Sequence, residues 1–268
     1  MLGLPAHVTA CLFDLDGVLT QTARVHNAAW TQTFDEFLRQ RATVSGEPFQ
    51  PFDPGPDYNR YVDGRPRADG VRTFLASRGI VLPEGTPDDP PDADTVNGLG
   101  NRKNVLLLQR LRTAGVEVYP GSVRYLQAAA AAGLRRAVVT ASANGAEVVA
   151  AAGLTPLLEA RVDGLVARAE GLRGKPEPDT FLAGARLLGV DPTQAVVFED
   201  ALSGVAAGRA GGFGYVVGVD RVGQADELLA HGADIVVQDL ADLLDAADPP
   251  EPARTAAPHQ PSAQRDQT

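Results

Sequence analysis

One cysteine, one methionine and one tryptophan occur in the 268 residues, and aromatic side chains make up only 6% of the chain. A lone Cys11 forms no internal disulfide, which fits a reducing compartment, and its place in an apolar run reads as buried packing. Cations are also scarce, with 24 Lys and Arg against 34 Asp and Glu and a formal charge of −10. That balance excludes nucleic-acid or anionic-membrane binding built on a basic face, so any anionic substrate must be held by local cations or a metal. No apolar run reaches the ~18 residues of a membrane span, and MLGLPAHVTA lacks the basic and long apolar segments of a signal peptide. The expectation is a cytoplasmic protein.

What the chain does have is 44% apolar residues, enough for an ordinary core, over a length that suits two modest domains. Short apolar runs alternate with alanine-rich helical stretches in the second half. VTACLF, RRAVVT, QAVVFED, YVVGVD and ADIVV read as strands, and ANGAEVVAAAG and ALSGVAAGRAG as helices stopped by glycine. This pattern predicts an α/β fold with a doubly wound parallel sheet. Between residues 22 and about 118 the texture changes. TARVHNAAWTQTFDEFLRQRA is amphipathic, with Trp30, Phe34, Phe37 and Leu38 on one stripe, and RADGVRTFLASRGI and NRKNVLLLQRLRTAGV predict further helices with no strand between them. The expected organisation is a sheet domain of residues 1–21 and 119–247 and a helical cap of residues 22–118 inserted after the first strand. Tyr119-Pro120-Gly121 is the expected hinge, residues 83–100 a loop, and residues 248–268 a disordered tail with too few large apolar groups to pack.

In open α/β sheets ligands bind beyond the carboxyl ends of the strands, and four polar stations fall there. Asp14 and Asp16 follow VTACLF, two apart, with Gly17 allowing a turn. Two ionised carboxylates about 5 Å apart repel by roughly 3 kcal/mol at an effective dielectric of about 20, so a positive partner or a shared proton is expected. Glu199 and Asp200 end QAVVF, and if the two acid pairs converge they make a hard-oxygen site suited to Mg2+. Thr140 ends RRAVVT, followed by Ser142 and Asn144 at a helix start, a set that reads either as an N-cap or as an anion site. Lys175 lies in RGKPEPDTF, where paired prolines fix the turn.

DLDGV, the strand-end Thr140, the lysine of GKPEPD and the acid pair of FED together resemble the four motifs of the haloacid dehalogenase superfamily. The resemblance spans about residues 8–240, and LTQTARVHNAAW, YVDGRPR, RKN and VYPG are similar to its β-phosphoglucomutase-like branch, whose cap is helical. It implies a Rossmann-like core with Asp14 as nucleophile, Asp16 as general acid and base, and Thr140 and Lys175 holding the transferring phosphoryl group. Mg2+ is implied at Asp14, Asp16 through its carbonyl, and Asp200, with Glu199 beside them. In the cap, Thr22 positions Asp16, His26 assists closure, and Trp30, Gly64, Arg67 and Lys103 meet substrate along with Ser142 and Asn144; Arg67 grips the phosphate that is not transferred. Thr22, His26 and Trp30 at i, i+4 and i+8 share a helix face, as this requires.

The implied activity is interconversion of β-glucose 1-phosphate and glucose 6-phosphate through an aspartyl phosphate and the 1,6-bisphosphate. A small sugar phosphate is the expected partner, with no nucleic acid or membrane, and a monomer is expected. Three departures weaken the substrate assignment: Gly70 replaces a cap hydroxyl, Asp63 a basic loop residue, and Ala143 a basic residue. Arg65 is the candidate compensation for one of them. The rivals are a sugar-phosphate phosphatase on the same scaffold and, more remotely, a phospho-signalling receiver module; dehalogenase chemistry has no need of Asp16.

Overall fold

Alternation within the strands sets the architecture. In the computed structural model, which describes residues 2–245, Ala10 and Leu12 of β1 (Ala10–Phe13) face one apolar cluster while Cys11 and Phe13 face another. A strand apolar on both faces must be covered on both. Five more strands join it in one parallel sheet: β2 (Arg135–Val139), β3 (Ala160–Val162), β4 (Ala195–Glu199), β5 (Tyr215–Val219) and β6 (Ile235–Val237). The order is β3-β2-β1-β4-β5-β6. The chain winds outward from β1 to β3, returns to β4, and winds outward again, so the reversal of strand order lies between β1 and β4. This is a doubly wound Rossmann-like sheet. Cys11 is fully buried among aliphatic and aromatic side chains, and burial raises its thiol pKa, as expected of a packing residue.

Between residues 22 and 118 three α-helices build a separate core: α1 (Ala23–Ser45), α2 (Arg67–Ser77) and α3 (Val96–Ala114). Phe34 lies at its centre, with Trp30, Phe52 and Phe74 at ring separations of 5.0, 5.1 and 4.3 Å. Seven of the chain's fifteen aromatic residues pack in or against this cluster, where no sheet supplies a flat surface. The expected stripe on α1 is buried as read.

The returning chain enters α4 (Pro120–Ala131) and later α5 (Gly145–Ala151), α6 (Gly164–Glu170), α7 (Asp179–Leu188), α8 (Leu202–Ala210) and α9 (Ala225–Ala230). Two differences from the sequence reading appear. α3 begins at Val96, inside the expected loop of residues 83–100, because the Thr95 hydroxyl accepts from the Gly98 N–H at 2.9 Å and caps it there. β3 is not legible in the sequence, since ARV carries an exposed arginine at its centre and forms no apolar run. Pro120, within the expected hinge, is the first residue of α4. The expected disordered tail, residues 248–268, lies outside the described residues.

Candidate active site

The reversal of strand order places the ends of β1 and β4 side by side, and the acids sit on them. The Asp14 N–H donates to the Phe198 carbonyl at 2.9 Å, extending the ladder one step past β1. Lys175 reaches in from the turn before α7, its Nζ 2.5 Å from Asp14 Oδ1 and in contact with Glu199 Oε1. The second Glu199 oxygen accepts the Ala201 N–H at 3.0 Å. Asp14, Glu199 and Asp200 each bring an oxygen within 4.8 Å of the others, and all three are buried. Gly17, at φ +94°, turns the chain so closely under Asp200 that any Cβ there would strike its carboxylate.

Three buried carboxylates facing one ammonium leave uncompensated negative charge. Burial, with help from the neighbouring acids and against Lys175, holds Asp14 well above the usual carboxylate range. Burial and then Asp63 and Glu199 do the same to Asp200. Burial alone would lower the Lys175 ammonium, but Asp14 and Glu199 outweigh it and hold it above the ordinary lysine value. Hard oxygen donors with excess negative charge suit a small divalent cation.

Asp16 serves a different neighbourhood. Its carboxylate lies outside the three-acid cluster. Oδ1 accepts the Thr22 hydroxyl, Oδ2 accepts the Thr140 hydroxyl at 3.3 Å, and the Thr22 and Thr20 hydroxyls are 2.6 Å apart. The two acids of DLD therefore divide, one toward Lys175 and one toward the cap. His26 Nε2 stands 3.6 Å from Asp16 Oδ1, beyond hydrogen-bond reach and without a partner among the described residues. Its Nδ1 lies 3.0 Å from Lys103 Nζ. An amine donating to Nδ1 puts the imidazole proton on Nε2, aimed into the site. Burial and the Lys103 charge push His26 down to about 4, so it is neutral at pH 7 and forms no ion pair with Asp16. Lys103 is pushed down to about 7, mainly by burial, and its Nζ stands 5.1 Å from the Trp30 ring centroid.

One cavity of about 770 Å³ joins these groups. Asp14, Asp16, Thr140, Lys175 and Asp200 line its floor; His26, Trp30, Gly64, Arg67 and Lys103 line the cap side, and Ser142 and Asn144 stand at its edge. Thr22 and Glu199 lie behind, touching Asp16 and Lys175. The cap is seated on the core. Gly64, at φ +69°, packs so that an added Cβ would lie 2.5 Å from Ser203 Oγ and 2.8 Å from Ala201 Cβ. The Ser203 hydroxyl donates to the Asp63 carbonyl at 2.9 Å, and the Asn144 amide donates to Asn104 Oδ1 at 2.9 Å.

Asn104, although it stands in RKN, and Ser203 are not marked in the sequence because each matters through a hydrogen bond to a partner remote in the chain. Asp63 faces the acid cluster, and burial and Glu199 push it up to about 7. Arg65 lines the cavity.

Residues 8–212 match the family model of the haloacid dehalogenase-like hydrolases. The chain is 59% identical over 247 residues to the β-phosphoglucomutase of Mycobacterium tuberculosis, covering 91% of this chain and 94% of that one. It is 28% identical over 240 residues to hexitol phosphatase A of Escherichia coli, covering 87% and 91%. The crystal structure of β-phosphoglucomutase from Clostridium difficile superposes with a TM-score of 0.68 at 23% identity, over 88% of this chain and 93% of that one. At that identity the likeness shows a shared fold.

Proposed function

The chain belongs to the haloacid dehalogenase-like hydrolase family, and on that footing we propose that it is a β-phosphoglucomutase, interconverting β-glucose 1-phosphate and glucose 6-phosphate. The observation that carries the reading is a cavity with two poles: the Asp14 carboxylate and Lys175 on its floor, and on its cap side the Arg67 guanidinium, whose buried Nη1 has no partner among the described residues. A hydrolase needs one anion site, whereas a mutase passing through a bisphosphate needs two. The 59% identity to a β-phosphoglucomutase supports the same reading.

In this reading Asp14 attacks phosphorus and becomes an aspartyl phosphate. Lys175 and Thr140 hold the phosphoryl oxygens, because a carboxylate approaching a phosphate dianion meets repulsion that fixed cations and donors must offset. Asp16 takes the proton from the sugar hydroxyl as it attacks and returns one to the leaving oxygen in the reverse sense. Thr22 and Thr140 fix the orientation of Asp16. Asp14, Asp200 and the Asp16 carbonyl would hold Mg2+, and Glu199, already committed to Lys175 and the Ala201 N–H, keeps the lysine in place. When bound, the ion neutralises charge at the transferring group. The neutral His26 donates from Nε2 to bound substrate as the cap seats. Residues 22–118 act as the mobile cap of a cytoplasmic monomer.

Phosphorus NMR of the enzyme with β-glucose 1-phosphate, Mg2+ and a trace of glucose 1,6-bisphosphate tests this. Glucose 6-phosphate should accumulate. Inorganic phosphate released without it would favour the second reading, a sugar-phosphate phosphatase, to which the likeness to hexitol phosphatase A points.

A further inference from the structure

Five arginines line the cavity: Arg65, Arg67, Arg72, Arg168 and Arg173. Arg72 is committed to Asp69 and Glu84, and Arg173 to Glu177 and Asp179. Arg65, Arg67 and Arg168 meet no carboxylate at ion-pair distance among the described residues. Of these three, Arg67 lines the cavity from a cap helix and Arg168 from a helix of the core. Arg67 opens α2 on the cap, and burial together with the nearby Arg168 charge lowers its pKa. Arg168 lies in the last turn of α6, on the core.

α6 is held where its arginine faces the cleft. Asp163 caps it, accepting the N–H groups of Leu165 and Val166 at 3.0 Å each, and the Gly164 N–H donates to the Ser142 carbonyl at 2.9 Å. The helix thus starts against the Thr140–Asn144 segment, which brings hydroxyls and an amide to the cavity but, with Ala143 at its middle, no charge. On the other side, Pro66 of the cap loop packs against Gly174, next to the cavity wall.

We propose that Arg168 is a specificity-determining residue: the core guanidinium that joins Arg67 across the seam to grip the non-reacting phosphate of a doubly phosphorylated sugar. Two like charges repel when the cap seats without ligand, and a phosphate dianion between them turns that repulsion into two charge-assisted interactions. Seating of the cap is therefore biased toward ligands carrying a second phosphate, since only they interact differently with the open and seated states. The identity of the ligand rests on the mutase reading; the placement of Arg67 and Arg168 along one cavity does not.

The test uses Mg2+-dependent hydrolysis of acetyl phosphate, which carries one phosphate and reads only the floor of the site. Inhibition by glucose 1,6-bisphosphate and by inorganic phosphate is compared in the wild type, R168Q, R168K and R173Q. R168Q should weaken bisphosphate inhibition about tenfold or more and leave phosphate inhibition and acetyl phosphate turnover within about twofold. R168K should keep part of the effect, and R173Q should match the wild type. Unchanged bisphosphate inhibition in R168Q, or equal losses for both inhibitors, would overturn the proposal. A wild type that binds bisphosphate tightly through Arg168 yet makes no glucose 6-phosphate would refute the mutase reading alone.

Discussion

At the scale of single residues, the most informative group is Lys103. It is buried beneath Trp30 with its amine on His26, and its pKa is pushed down to about 7. An unfolded lysine titrates near ~10.4, so between those pH values the unfolded chain holds the extra proton. Stability therefore rises with pH across that window, as the buried ammonium is discharged. K103M should raise the melting temperature at pH 6 and raise it less at pH 9, as followed by circular dichroism. Substrate binding runs the other way, because a phosphate is held by the ammonium and not by the amine. In the wild type kcat/KM should fall as pH rises through about 7, whereas K103M should start about tenfold lower at pH 6 and show no such limb.

At the scale of elements, the cap loop of residues 63–66 decides whether the site is complete. Gly64 meets α8 at a distance that leaves no room for a side chain, and at a φ that L-residues avoid. A left-handed non-glycine residue costs about 1–2 kcal/mol, and the clash adds to it, so G64A should relieve both by lifting the loop off the core. The expected result is a loss of about tenfold or more in kcat/KM with a melting temperature shifted by less than ~4 °C. Steady-state kinetics and thermal melts on one preparation separate the two. Helices also show why some of the site stayed hidden. The long amphipathic α1 announces its buried face through Trp30, Phe34, Phe37 and Leu38, whereas the seven-residue α6 that carries Arg168 has no buried residue to mark it.

For the whole molecule, an excess of acid is concentrated at one point, the buried trio of Asp14, Glu199 and Asp200 with Lys175 as its immediate cation. A folded state that gathers this charge is stabilised by whatever cation binds it and not the unfolded chain. Mg2+ at about a hundred times its dissociation constant should add about 2.7 kcal/mol, or roughly 5–10 °C in melting temperature. D200N should flatten that dependence, and chelation should abolish turnover while lowering the melting temperature of the wild type. A melting temperature indifferent to Mg2+ would show that the trio is not a metal site.

The doubly wound parallel sheet and the polar residues at its strand ends were legible in the chain alone. Runs such as ACLF and AVVFE have to be covered on both faces, and a doubly wound sheet delivers whatever follows them, Asp14 and Glu199-Asp200 included, to one crevice. Only the tertiary structure decided how those groups divide the work. Asp16 turned to Thr22 and the cap while Asp14 took Lys175; Glu199 was consumed by that lysine, and His26 lost its charge to burial and, second, to an amine 77 residues away. Protonation, pairing and the placement of Arg67 and Arg168 along one cavity depend on how segments remote in sequence come together and on how completely water is excluded from them. A periodicity in the chain records which face is buried, but not which charge waits there.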